Sequence, residues 1–494
     1  MKQTCRTLLL AALAAVAAMP LRGVEPLPLT IYSGAPDTVR TSRTTIVGVT
    51  APGASASIGS EAVRVYRTGS FGREVTLVPG QNRVPVEVAL GDRKAEKTLE
   101  IYYDNSAPRP SRKKAESAET RFVEPRYVES LPGAYLQYGN GDDRLGGSKM
   151  GFIDEGIVMK AIGEKGSLFC VRLGENRTAY IPKEYTRGAE APVPAGALNT
   201  GNWTVSDAGA VDRVAIALPR RLAYHYATDI NPSEITVDIF GATDNSNWIT
   251  QRTLSLGIID YVDFRQTASD VYRVIIRLKD KYQWGFSVGY EAGGSNLVID
   301  VRHRPASLSL KNLTIGLDAG HGGPYPGARS PSGLLEKDVN LDIVKHLQAI
   351  LESKGAKVVM TRTGDTGPSM AERKRIWRDA RVDLAVSVHN NSGGGALSSP
   401  GTAVLYKHLF CRPLAQAVTA RLLETGLPLF GIVQNFNFSL NGPTEFPEVL
   451  VEGMFMSSLE EEEKLADPAF RRKVAEKIAA AIEDYLKETS RQTN

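Results

Sequence analysis

Two rhythms of apolar residues divide the chain. From Leu29 to Arg304 short alternating runs dominate, such as Val63-Arg64-Val65-Tyr66, Glu74-Val75-Thr76-Leu77 and Arg273-Val274-Ile275-Ile276-Arg277-Leu278. They are separated by Pro, Gly and Asn clusters, the signature of half-buried strands and turns. From Lys311 onward, compact apolar runs (Leu313 to Leu317, Lys357 to Thr361, Leu384 to Val388, Val449 to Val451) alternate with helical periodicity. Val339, Leu341, Ile343, Val344, Leu347 and Ile350 form one apolar stripe after Glu336. Ser369-Met370-Ala371-Glu372 is a capping-box pattern opening a helix to about Arg381. A helix is expected from Pro413 to about Thr425. Asp467-Pro468 opens a last one, lined by Val474, Ile478, Ile482 and Leu486. The pattern predicts a multidomain chain: several small all-β domains, then an α/β domain over 311–490 with a mostly parallel central sheet.

Within the β-rich part, residues 24–104 read as a small sandwich that resembles bacterial Ig-like modules. Residues 105–124, with Pro108, Pro110 and Arg112-Lys113-Lys114, read as a linker. Residues 125–195 resemble an SH3-like barrel, with Asp142-Asp143 at a polar loop tip. Residues 200–305 contain an internal echo. A strand from Arg213 is followed by Ile235-Thr236-Val237-Asp238-Ile239, and a strand from Arg273 by Leu297-Val298-Ile299-Asp300-Val301, as if one half had been duplicated. This segment resembles AMIN-type modules, which the resemblance implies help hold an enzyme on the cell wall. Tyr224, Tyr226, Trp248, Tyr261, Tyr282 and Trp284 are read mainly as core or cross-strand partners. His225 and His303 have no ligand-like company in the sequence, and His346 and His408 read as surface residues.

Composition narrows the class. Apolar content of 42% supports real cores, and 23% charged residues is ordinary. Lys2 and Arg6 precede an apolar run from Leu8 to Met19, and 1–23 reads as a secretory signal peptide. Removing Lys2, Arg6 and Arg22 from a net charge of +4 leaves +1, so no nucleic-acid partner is implied. The mature protein is expected to be exported, to the periplasm or cell envelope, without a transmembrane span. Cys170 and Cys411 fall in different domains and read as buried apolar residues rather than a disulfide.

The chemistry concentrates late in the chain. The first apolar run of the α/β domain ends in Asp318-Ala319-Gly320-His321-Gly322-Gly323, and Glu336 opens the helix that follows. Leu384-Ala385-Val386-Ser387-Val388 delivers His389, and Val449-Leu450-Val451 delivers Glu452. Alone, His321 fits a turn histidine, His389 a satisfied buried histidine, and Glu336 a charge favoured at a helix start. Glu452 is harder to read so, because a carboxylate directly after an apolar strand faces a desolvation cost without a partner. Together they supply ligands for a divalent metal and a spare carboxylate as base.

The segments Leu317 to Gly323, Gly333 to Asn340, Asp383 to Ser392 and Pro447 to Glu452 resemble the zinc-dependent N-acetylmuramoyl-L-alanine amidases of the amidase type 3 family. The resemblance spans roughly residues 311–488. It implies Zn2+ held by His321, Glu336 and His389, with Glu452 catalytic. It also implies hydrolysis of the amide between N-acetylmuramic acid and L-alanine in peptidoglycan, for wall remodelling or daughter-cell separation, with an activator or divisome protein as partner. Asn391, Arg362 and Arg373 match polar family positions and are taken as substrate-binding candidates, with supports behind the metal ligands or simple fold contacts as the other readings. Ala319, Asn390 and Asn441 depart from the family pattern, where proline, alanine and arginine are usual. Gly426 to Phe446 is the expected groove loop. A metallo-carboxypeptidase and an inert wall-binding protein are the competing readings.

Overall fold

Alternating side chains close the first β unit around a core of its own. A computed structural model describes residues 26–34, 38–106, 118–141, 146–193 and 196–491. The signal-peptide stretch, the basic run Arg112-Lys113-Lys114 and Asp142-Asp143 lie outside the described residues. In module 1, a three-stranded sheet and a five-stranded sheet enclose Ile46, Ile58, Phe71, Val86 and Ile101. Module 2 is one seven-stranded antiparallel arrangement between Thr120 and Ala189. Module 3, from Leu198 to Arg302, is built mainly on a five-stranded and a four-stranded sheet.

The echo in module 3 has a structural meaning that spacing alone hides. Strand Val211–Ile216 pairs with Leu297–Arg302, and Ser233–Phe240 pairs with Val271–Leu278. Each half therefore gives one strand to each sheet. The equivalent ion pairs form across the halves: Arg213 with Asp300 at 2.7 Å and Arg273 with Asp238 at 2.6 Å.

The C-terminal unit is the α/β part. Its elements are β1 (Thr314–Ala319), α1 (Glu336–Ser353), β2 (Lys357–Met360), α2 (Met370–Asp379), β3 (Leu384–Asn391) and β4 (Thr402–Leu405). They continue with α3 (Arg412–Leu423), β5 (Leu429–Val433), β6 (Glu448–Phe455), α4 (Leu459–Ala466) and α5 (Pro468–Arg491). The sheet order is β2-β1-β3-β6-β4-β5. The first four strands are parallel; β4 runs antiparallel to β6 and β5 runs with β4, so the sheet is mixed. Parallel strands need both faces covered, which is why β3 and β6 are apolar along most of their length. Ser369 caps α2 with the full capping box. On α1 the buried stripe is Val339, Ile343, Val344, Leu347 and Leu351, with Leu341 and Ile350 half-buried.

Modules 2 and 3 share one continuous apolar cluster with the α/β unit. Tyr282 and Trp284 pack on Tyr485 of α5, and Arg302 donates to Val382 O and Asp383 Oδ1, each at 2.6 Å. Tyr224, Tyr282 and Trp284 are buried, whereas Trp248 stands open to solvent. Cys170 and Cys411 are free and buried.

Two expectations need correction. His303 does have acidic company: its Nε2 lies 2.8 Å from Asp212 Oδ1, with Asp207 close by. Asp212 is already saturated by the amides of Gly257, Ile258 and Ile259, so the cluster staples two strands rather than offering a ligand site. His408 is not a surface residue; it stacks on Phe410 and its Nε2 lies 3.1 Å from Gly442 O. Desolvation lowers its pKa to about 4. The Gly426 to Phe446 segment, expected as a groove loop, is anchored at several points. It supplies edge strand β5, lays Phe436 and Phe438 over Ala403, Leu405 and Leu450, and bonds to module 2 through both ends of the Asn437 amide.

Where arginine is usual, Asn441 donates to Glu448 Oε2 at 2.9 Å inside the core. Without a cation beside it, burial pushes the Glu448 carboxyl well above its usual range, and the Asp318 charge adds to this. A raised carboxyl gives stability that is present below its unfolded pKa, near ~4.3, and lost as pH rises through the folded value. Glu448→Gln keeps the shape without the titration. It is expected to melt roughly 2–4 °C higher than the parent at about pH 8, about 1 kcal/mol, with the gap closing towards about pH 4. Scanning calorimetry at the two pH values checks this; an unchanged gap would remove the buried acid as its cause.

Candidate metal centre

The centre lies at the C-terminal ends of the parallel strands, where open α/β sheets place ligands. Asp318 and Ala319 pair with Ser387 and Val388, so β1 and β3 end side by side. The chain then turns sharply. His321 has φ +62°, in the left-handed region, followed by Gly322 at +124° and Gly323 at +55°. Such a conformation on a non-glycine residue costs energy and persists only when its surroundings hold it.

Two buried arginines do the holding. Arg373 donates to Asp318 Oδ1 at 2.6 Å, to Ala319 O at 2.9 Å and to His321 O at 2.7 Å. Arg362 donates to Ala319 O, Gly320 O and Lys337 O. The sequence left them open between substrate contacts and supports behind the ligands. They are only 3% and 2% exposed (Arg362 and Arg373), and their guanidinium groups donate to the turn's carbonyls, which favours the support reading. They position the histidine. Asp318 in turn accepts from Thr361 and Ser387 as well. Burial would raise its pKa, but the Arg373 charge and these bonds hold it below the usual carboxylate range.

The predicted ligands converge. His321 Nε2 lies 3.2 Å from Glu336 Oε2, and His389 Nδ1 lies 3.0 Å from Glu336 Oε1. The ligand atoms of the trio all fall within 4.8 Å of one another. Burial would raise the Glu336 pKa, but bonds to the two imidazoles hold it well below the carboxylate range. Burial would lower that of His389; the Glu336 bond and the Glu452 and Glu336 charges raise it instead. A side-chain carbon on Gly320 would stand 2.3 Å from the His389 ring, and one on Gly327 would stand 2.4 Å from Glu336 Oε2. Both positions must be bare for the three groups to meet. The donor set, two nitrogens and a carboxylate, suits a borderline-soft divalent ion.

Glu452 sits opposite His389 in the parallel register of β3 and β6, and is 7% exposed. Asn391 is half-buried two residues beyond His389, and so remains beside the cleft. Sequence reading missed the supporting layer. Asn340 donates to Glu336 Oε1 at 3.3 Å and to Gly320 O at 3.2 Å; Asn390 donates to Asn340 Oδ1 at 2.8 Å and accepts from Met454 N. The backbone amides of Asn390 and Ala328 also reach the Glu336 carboxylate. A signal existed for Asn340: it stands four residues after Glu336, on the face of α1 that points inward.

Comparisons with known proteins bear on the α/β unit. The profile of the N-acetylmuramoyl-L-alanine amidase family matches residues 315–484. The uncharacterised protein YqiI of Bacillus subtilis is 30% identical over 184 residues, covering 36% of this chain and 88% of that protein. The probable cell wall amidase LytH of Staphylococcus aureus is 32% identical over 201 residues, 40% of this chain and 67% of LytH. Among solved structures, the catalytic domain of CwlV, the amidase from Bacillus (Paenibacillus) polymyxa var. colistinus, is 31% identical. It aligns over 35% of this chain and 98% of that domain, with a TM-score of 0.34.

Proposed function

The chain belongs to the N-acetylmuramoyl-L-alanine amidase family and hydrolyses peptidoglycan at the bond between N-acetylmuramic acid and L-alanine, and we propose that it does so with zinc held by His321, Glu336 and His389 and with Glu452 as proton carrier. The observation that supports this reading is the meeting of two imidazoles and a carboxylate within 4.8 Å, with a second acidic residue in register beside His389. Bound there, zinc supplies Lewis acidity, polarising a carbonyl oxygen and making water easier to deprotonate.

The remaining work falls to the chain. The backbone amides of Ala328 and Asn390 and the Asn340 side chain donate to Glu336, so its carboxylate is held in place as a ligand. Arg362 and Arg373 fix the turn that presents His321. A Glu452 carboxylate oxygen takes the proton from the attacking water as its oxygen bonds to the amide carbon. The same carboxyl then gives that proton to the departing nitrogen as the carbon–nitrogen bond breaks. The products are a lactyl carboxylate on the sugar and a free L-alanine amine on the stem peptide.

The β-rich modules fit recruitment to the wall: an Ig-like, an SH3-like and an AMIN-like unit ahead of the hydrolase. Export to the envelope follows from the substrate and the leader-like N-terminus. Among the described residues no helix is long and apolar enough to cross a membrane. A role in wall remodelling or daughter-cell separation, with an activating partner, completes the proposal.

Mass spectrometry of sacculus digests tests it. Stem peptides with a free L-alanine amine are expected from the untreated protein. Their release should fall to background after chelation and return on adding zinc. A chelated, metal-free protein that works at the original rate would remove zinc from the reading. Release of terminal alanine alone would make it a carboxypeptidase.

A further inference from the structure

The loop between His321 and Glu336 is where module 1 meets the α/β unit. The Tyr32 hydroxyl donates to Arg329 O at 2.8 Å. One residue back, Ala328 N donates to Glu336 Oε2 at 2.9 Å, so a single peptide unit separates the module from a candidate ligand. A second route runs through α4. Glu463 accepts from Arg64 at 2.9 Å and from the Arg67 amide at 2.6 Å, both in module 1. Its neighbour Glu462 is fully buried and accepts from Ser332 N in the same loop at 2.6 Å. Glu461, also buried, accepts from Gly401 N and from Phe455 N, which closes β6 three residues after Glu452. At Gly72 of module 1 a side-chain carbon would lie 3.1 Å from Leu459, so this strand rests directly on α4.

We infer that module 1 is a brace for the metal-ligand loop: through Tyr32 and the Glu463–Glu462 pair it fixes residues 328–335, and with them the spacing of His321 and Glu336. A loop with only local bonds opens at low cost. Here the local bonds (Ser330 N to Leu334 O, Leu334 N to Ser330 Oγ) are supplemented at Arg329 and Ser332 by groups anchored outside the loop. Tyr32, Glu462 and Glu463 are thus positioning residues, since they act on the centre through the loop. The brace itself stands on the contacts named; only its consequence for metal retention rests on the zinc reading.

The test uses the full chain carrying Tyr32→Phe and Glu463→Ala together, which removes the hydroxyl and the acceptor and leaves α4 with a good helix former. Glu476→Ala is the control, since Glu476 is exposed on α5 and pairs with Arg472 of the same helix, away from module 1. Hydrogen exchange is followed in metal-free protein at the amides of Ala328, Ser330, Ser332 and Leu334. The double variant is expected to exchange roughly fivefold faster there, with α1, α5 and β3 unchanged, because sub-global opening is local. Zinc-loaded double variant should also lose its metal to a chromophoric chelator several-fold faster than parent or control. Unchanged loop exchange overturns the brace, whatever the zinc result. Faster exchange with identical zinc loss overturns its link to the centre. Faster exchange in a protein that takes up no zinc supports the brace and condemns the metal centre instead.

Discussion

Glu452→Gln is expected to lower the rate of stem-peptide release from sacculi by roughly 100- to 10,000-fold, the usual worth of a positioned general acid–base group. The amide side chain keeps the shape and cannot accept the proton. Glu452 belongs to a strand that is buried along its whole length, and lies three residues before its end at Phe455. Its register opposite His389 puts it beside the trio without making it one of the three converging ligands. The variant should therefore bind one zinc per chain like the parent while failing to turn over. Elemental analysis alongside the digest separates the two properties. A variant that is active, or that is inactive because it has lost its metal, would remove Glu452 from the proton-carrying role.

The second large effect concerns stability. Asp318→Asn should destabilise the α/β unit by about 3–5 kcal/mol, because it leaves the buried Arg373 guanidinium without its counter-charge. Asp318 is fully buried, and Arg373 reaches it at 2.6 Å while also holding His321 O. For a unit of this size such a loss corresponds to roughly 6–20 °C in melting temperature. The pH dependence follows from the depressed pKa. A lowered carboxyl gives stability that is present above its unfolded pKa, near ~3.9, and lost as pH falls through the folded value. The deficit of the variant should be complete at neutral pH and shrink in acid. Urea unfolding at about pH 7 and about pH 3 checks this, and a variant within a degree or two of the parent at neutral pH would show that the pair is dispensable.

Both effects trace to one design. His389 and Glu452 stand in neighbouring parallel strands, His321 in the turn after β1 and Glu336 at the start of α1, and the groups that aim them lie behind them. Asp318, Arg362 and Arg373 brace the turn at His321, while Asn340 and Asn390 brace Glu336. A buried polar network of this kind rigidifies when fully satisfied. The chain spends its polar core residues there and little elsewhere in the sheet, with Asn441 and Glu448 as the departure.

Local pattern determined a good deal. Apolar runs followed by His and Glu marked the parallel strands and the polar positions towards their C-terminal halves, although β3 runs on to Asn391 and β6, still buried, to Phe455. The capping box at Ser369 and the Asp467-Pro468 pair marked helix starts, because orphan backbone amides there are met by nearby side chains. For Arg362 and Arg373 the choice between substrate contact and support was not legible: a sequence shows a charge but not whether it points at solvent or at a carbonyl behind it. The same holds for His408, placed by a stacking partner, and for the arginine–aspartate pairs of module 3, whose partners come from the opposite repeat. The sequence by itself determined which residue types stand at the ends of which strands, since that depends on period and neighbours. Only the tertiary structure decided which of them meet, and that module 1 leans on the loop between two of them, because those distances are set by packing between segments far apart along the chain.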